Sequence, residues 1–264
     1  MMAEEKKVTG PGSFDVLGVQ VAAASPASAL DYMARVVAAG GRGFITLTGV
    51  HGVMEAQDDV SVKEAHRKAD MCLPDGMPLV LLGRHRGFNT IERCFGPDLM
   101  LAAMADSCRK GWKHFFYGGR EGVADQLKAK MERQYPGIRI VGTYCPPFRA
   151  LDREEENKLK HRIEQTSPDI LWVGLSTPKQ ELWMAEHLGK IDAPLMVGVG
   201  AAFDYNSGRL TRAPRWMQVG CLEWFYRLLC DPRRLWKRYL KNNPRFILYL
   251  VLNYKHARLQ KRSD

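Results

Sequence analysis

The chain has 264 residues, 45% of them hydrophobic and 26% charged, a composition that can bury the core of one large α/β domain, or of a domain with an appendage. Its six cysteines are scattered, with no CxxC pair and no Cys/His cluster at zinc spacing; this excludes a disulfide framework or a structural zinc and fits reduced thiols in a cytosolic compartment. The net charge of +10 sits at one end, because residues 211–264 hold 13 Lys/Arg against 3 Asp/Glu while the first 210 residues hold 26 of each.

The opening MMAEEKKVTGPGSFDVLGV lacks the apolar stretch of a signal peptide. GFITLTGV (43–50) reads as the first strand and leads into a helical pattern from about 52 to 69. Next comes CLPDGMPLV (72–80), where Asp75 stands among apolar residues, proline and glycine. Burying that carboxylate without a partner would cost several kcal/mol. It is therefore either a turn residue of the common Pro-Asp-Gly kind or a group kept for chemistry.

HFFYGG (114–119) is a strand ending in two glycines, and EGVADQLKAKMERQY after it is a helix closed by Pro136-Gly137. IRIVGT (138–143) is a further strand, followed by the polar helix DREEENKLKHRIEQT. DILWVGL (169–175) and PLMVGVG (194–200) are the near-continuous apolar runs of strands covered on both faces. Strands alternating with helices of this length predict an α/β fold: a Rossmann-like, mostly parallel sheet with helices on both faces.

Past a loop-like NSGRLTRAP the pattern changes, which places a boundary near 208–212 between a core (1–210) and a basic helical C-terminal appendage (211–264). The appendage predicts helices broken at Asp231-Pro232 and Asn243-Pro244, with no further strand. It carries nine of the 25 aromatics: Trp216, Trp224, Phe225, Tyr226, Trp236, Tyr239, Phe246, Tyr249 and Tyr254. Its longest apolar run, Phe246 to Leu252, is seven residues. A bilayer crossing needs about 20.

Ligands of open parallel sheets bind beyond the carboxyl ends of the strands. Here those ends supply Thr46, Thr48, Gly49 and His51 from the first strand and Gly118, Gly119 and Arg120 from HFFYGG. Gly174 follows with STPKQE, where Lys179 and Gln180 open a helix, and Gly200 is followed by Asp204. Glycines there admit a phosphate or ribose to the backbone. Neither a Walker A sequence nor a GxGxxG follows the first strand, and no HExxH or DxD occurs. Neither a metal nor a cofactor is therefore expected, and leaving-group charge would fall to Arg, Lys or backbone amides. The basic, aromatic tail suits an anionic membrane surface, single-stranded nucleic acid, or a helical unit with its aromatics turned inward.

Taken together, LPDG (73–76), FGPDL (95–99), FYGG (116–119), YPGIRIVGT (135–143), DILWVGLSTPKQELW (169–183), GVGAAFDYNSGRLTRAPRWMQ (198–218) and LEWFYRLLCDPRRLWKRYLKNNPRF (222–246) resemble the WecG/TagA/CpsF glycosyltransferases over roughly residues 15–250. The resemblance implies an inverting, metal-independent transfer of an N-acetylmannosamine-type or related sugar from a UDP donor to a polyprenyl-diphosphate-linked sugar. It places that step on the cytoplasmic face of the cell membrane, in cell-surface polysaccharide synthesis, with the appendage closing the site and touching the anionic membrane. By the same resemblance Asp75 is the base, Thr46 lies in the pocket, and Arg93 and Gln180 bind substrate. Arg227, Arg234 and Arg238 meet the diphosphate. Thr48 stands where the family usually has Asn, so the donor sugar is left open. The alternative is a nucleic-acid-binding α/β protein using the basic tail, although the resemblance implies no nucleic-acid partner. Tail aromatics could also pack on a second copy of the chain.

Overall fold

The computed structural model describes residues 9–260, with side chains as far as Asn253. Residues 1–8 of the amino-terminal reading and the side chain of Tyr254 lie outside the described residues. The chain opens with a hairpin, β1 (Ser13–Val16) and β2 (Val19–Ala22), paired antiparallel. Its two-residue turn, Leu17-Gly18, has φ of 55° and 83°, the mirror-image geometry that matches strand twist. Helix α1 (Pro26–Ala39) begins at a capping box in which Ser25 and Ser28 each accept the other's backbone N–H.

The central elements follow in order: β3 (Gly43–Thr48), α2 (Val50–Asp58), α3 (Val60–Lys68), β4 (Met71–Pro74), α4 (Met77–His85), α5 (Gly96–Lys110), β5 (Lys113–Gly118), α6 (Val123–Gln134), β6 (Arg139–Tyr144), α7 (Arg153–Thr166), β7 (Ile170–Gly174), α8 (Lys179–His187) and β8 (Leu195–Gly198). Six strands form one parallel sheet in the order β4-β3-β8-β7-β5-β6. Every residue of β3, β4 and β8 is buried, as expected of strands covered on both faces. One side packs a large cluster around Met33, Phe116, Trp172 and Phe203; the other carries two clusters, around Val53 and Leu79 and around Phe115 and Leu171. This is the α/β, Rossmann-like architecture the sequence predicts.

The chain leaves β5 towards β6 at the edge and leaves β7 in the opposite direction towards β8. Their carboxyl ends therefore flank a topological switch point, where the following loops part and leave a crevice. The remaining helices close over that end: α9 (Ala202–Ser207), α10 (Arg215–Val219), α11 (Glu223–Cys230) and α12 (Pro232–Gln260). Helix α12 packs along α2 and sends Phe246 into the Val53 cluster.

Three local readings change. The helical pattern over 52–69 is two helices, because Asp59 ends α2 and caps α3 by accepting the Ser61 N–H. CLPDG is a short strand followed by a turn, with Pro74 at the end of the edge strand β4, where a missing N–H is tolerated. Asn243-Pro244 does not break α12, which runs through Pro244. Leu240, whose carbonyl loses its partner there, is exposed to water, while Asn242 and Phe246 on the opposite face are buried and hold both halves in place.

Candidate active site

A cleft of about 1920 Å³ opens at the carboxyl end of the sheet, between the strand ends and helices α11 and α12. Asp75 lies at its base. Its N–H donates to the Thr48 carbonyl at 2.9 Å, extending the β3–β4 ladder by one rung, and its carbonyl accepts Arg93 Nε at 2.6 Å. Strand pairing and a neighbouring side chain thus fix its backbone on both sides.

The carboxylate takes the Gly96 N–H at the start of α5, but its Oδ1 is closed off from solvent with no hydrogen-bond partner. Burial raises its pKa and Glu223 adds to the rise, against the pull of Arg93, Arg227 and the Gly96 amide. Arg93 in turn pairs with Glu223 at 2.6 Å and lies over the Phe95 ring at 4.3 Å. Its charge is committed to the protein.

Arg227 and Arg238 differ in this respect. Both line the cleft from the appendage helices, and neither has a hydrogen bond or ion pair among the described residues. Burial opposes the charge of Arg227, but Tyr205, Tyr239, Asp75 and Glu223 outweigh it and its pKa is raised. Burial lowers that of Arg238, with Arg227 and Arg234 adding to the effect. A desolvated guanidinium without an anion is costly, so the pair forms a site that an anion would complete. Arg234 lines the same wall but is paired with Asp231 at 2.6 Å. No three or more His, Cys, Asp or Glu side chains converge as a metal site among the described residues.

The remaining expected residues divide into floor and support. Gly119, Gly174, Lys179, Gln180 and Asp204 line the cleft. Gln180 is nearly buried: its Oε1 accepts the Gly200 N–H at 2.9 Å and its Nε2 donates to Glu181, which ties α8 to the loop after β8. Lys179 sits over Phe148 at 4.4 Å. Gly118 lies just behind the surface, with a φ of 120° and a position where a Cβ would come 2.6 Å from the Gly174 carbonyl oxygen; only glycine fits. Thr46 and Thr48 do not reach the cleft surface. Both are buried, and Thr46 Oγ1 contacts Cys72 Sγ at 2.8 Å and His66 Nδ1 at 3.4 Å beneath the strand end.

The geometry adds residues not selected from sequence, Glu223, Tyr205, Tyr239 and Asn242, and gives the strand-end His51 its partners. Glu223 and Arg227 are four apart on α11, a spacing that puts them on one face and was legible in LEWFYR. Tyr239 and Asn242 depended on knowing where α12 lies, and Tyr205 on the packing of α9 beside Phe95. His51 Nδ1 is 3.0 Å from Asn242 Nδ2 and 3.3 Å from Glu55 Oε1, and burial with Arg238, Arg227 and Lys241 nearby lowers its pKa to about 4.

Comparison with known proteins identifies the family. The profile of the "Glycosyl transferase WecG/TagA/CpsF family" matches residues 14–261. A Bacillus spizizenii protein named N-acetylglucosaminyldiphosphoundecaprenol N-acetyl-beta-D-mannosaminyltransferase is 31% identical over 204 residues, covering 77% of this chain and 76% of its own. A Bacillus subtilis protein of the same name is 30% identical over 190 residues, covering 72% of each chain.

Proposed function

The chain belongs to the WecG/TagA/CpsF family of glycosyltransferases, and from that premise we propose that it moves an N-acetylmannosamine-type sugar from UDP to a sugar carried on a polyprenyl diphosphate. The observation that carries this reading is the pairing of an unsatisfied, desolvated Asp75 oxygen with the unpaired guanidiniums of Arg227 and Arg238 in one cleft. Asp75 takes the proton of the acceptor hydroxyl as that oxygen attacks the anomeric carbon. The bond from that carbon to the UDP oxygen breaks, its electrons pass to the diphosphate, and Arg227 and Arg238 meet the developing charge. Attack from the face opposite the leaving group inverts the anomeric centre. Arginines meet the leaving charge, so the reaction does not call for a metal ion.

Thr46 and Thr48 act from below by supporting the strand end that carries the Asp75 ladder bond. No helix among the described residues is long and apolar enough to cross a membrane. The appendage instead exposes Trp216, Trp224, Phe225, Leu229 and Trp236 beside its basic residues, a composition suited to peripheral binding at an anionic surface.

The test is transfer from a panel of UDP-sugars to a polyprenyl-diphosphate N-acetylglucosamine in the presence of a chelator, with product anomeric configuration read by NMR. Chelator-resistant transfer with inversion is expected. Retention, or activity lost with the chelator and restored by a divalent ion, would overturn the mechanism. Flotation with anionic against neutral vesicles tests the membrane contact.

A further inference from the structure

The face of α12 that lines the cleft changes chemistry along its length. It presents Arg238, Asn242, Phe246 and Leu250 at intervals of four residues, with Ile247 and Val251 along the rim of that row. The four-residue spacing keeps successive members on adjoining faces, and from Arg238 to Val251 the axis rises about 20 Å. The residues after Asp75 supply a second apolar row, in which Met77 and Leu81 of α4 line the same cleft. Both rows rest on one core cluster, since Met77 packs against the cluster that contains the buried Phe246. Yet Leu81 is 50% exposed, Ile247 63% and Val251 47%. Large apolar side chains thus face open space on both rows, beginning beside the base and the unpaired arginines.

We propose that this tract seats the first isoprenoid units of the acceptor, with its diphosphate at Arg227 and Arg238 and its hydrocarbon running along α12 towards Val251. The assignment rests on the acceptor class proposed above and adds where the lipid goes. The occupant is identified by the order of chemistries: two desolvated cations, then an amide, then hydrocarbon, which matches a ligand with an anionic head and an apolar tail. The nucleotide donor has no apolar part that would need such a tract. A lipid lying wholly in the bilayer would leave Leu81, on the α4 side, exposed to water within the cleft.

The experiment uses the full chain and N-acetylglucosamine diphosphates bearing one to six isoprene units, at fixed detergent. For the wild type, acceptor KM is expected to fall at least about tenfold as the chain lengthens, then to level off once the tract of about 20 Å is filled. In Leu81→Gln/Ile247→Gln the ratio of KM between short and long acceptors should shrink towards one. A wild-type series that is flat overturns the proposal while leaving the acceptor class standing, because transfer to the one-unit acceptor supports that class by itself. An unchanged ratio in the variant also overturns it, since chain length would then be read by the detergent, the outer face of α12 or a second copy of the chain. Failure of the wild type on every acceptor would remove both the acceptor class and the tract.

Discussion

Asp58 holds Arg245 with both carboxylate oxygens, at 2.6 and 3.0 Å, and takes Lys241 Nζ at 2.7 Å, so one carboxylate on α2 clasps two cations one turn apart on α12. The clasp flanks the two other anchors of that helix, Asn242 against His51 and Phe246 in the core. The Asp58 side chain is still 29% exposed, so its contribution to stability is modest. Its importance is geometric, because the next face of the same helix carries Arg238 into the cleft. Asp58→Asn is expected to raise acceptor KM about fivefold, the equivalent of about 1 kcal/mol, with donor KM moving less. Asp58→Glu should recover most of the loss. Equal rises in both KM values would show that the clasp does not position the appendage.

Replacing Asp75 should separate activity from stability. Its pKa is raised by burial, so between the unfolded and folded values the native state binds the extra proton, and stability falls as pH rises through that window. Above that window the ionised carboxylate is therefore a net destabilising group. Asp75→Asn is expected to lose about 10²–10⁴ in turnover while melting at or above the wild-type temperature. The wild-type acidic limb of kcat should lie above the ordinary carboxylate range, since protonation removes the base. A variant that melts lower and retains turnover would return Asp75 to the role of a turn residue.

Much of this site was legible because its residues follow apolar strands. DILWVGL and PLMVGVG announce buried parallel strands, and the residues past them, Lys179, Gln180 and Asp204, do line the cleft. The alternation that predicts a doubly wound sheet is local and survives tertiary packing. What could not be read depends on long-range contact. β4 is a four-residue edge strand ending in proline and offers no periodicity of its own. Thr46 and Thr48 sit two apart, as strand residues on one face do, but sequence could not show that this face turns towards His66 and Cys72, away from the cleft. Pro244 looked like a stop because local propensity favours one, and the anchors on either side outweigh it.

Arg227 and Arg234 provide an internal comparison, since both line the cleft but only Arg234 has a carboxylate partner in the protein. An anion arriving at the site meets Arg227 without having to break an ion pair. Arg227→Gln should lower kcat by about 10²–10³, the usual cost of losing one donor to developing charge, and Arg227→Lys should recover little because the planar fork is lost. Arg234→Gln should cost less than tenfold, most of it in KM. Equal losses for the two glutamine variants would count against an anion site centred on Arg227.

Two buried histidines, His66 and His114, and the partly buried His51 make the fold sensitive to acid. Burial lowers the pKa of His51 and His66 from 6.5 to about 4, and that of His114 to about 3. His114 is held neutral by its bonds: Trp172 Nε1 donates to Nδ1 at 3.0 Å, which leaves Nε2 to donate to Ser107 Oγ at 2.8 Å. The unfolded chain takes up these protons near pH 6.5 and the native state only below about 4. Over that window the unfolded state binds more protons, so stability is fully present above 6.5 and is lost as pH falls. By pH 5 each group should contribute a loss on the order of 2 kcal/mol, read as the change in urea midpoint between pH 7.5 and 5. His51 has a second consequence, because its proton would arrive beside Arg238, Arg227 and Lys241 and repel α12 from α2. His51→Gln is therefore expected to take about a third off the change in urea midpoint between pH 7.5 and 5 while leaving the slopes due to His66 and His114. A midpoint change that is the same in the variant as in the wild type would show that His51 takes no part in the acid sensitivity.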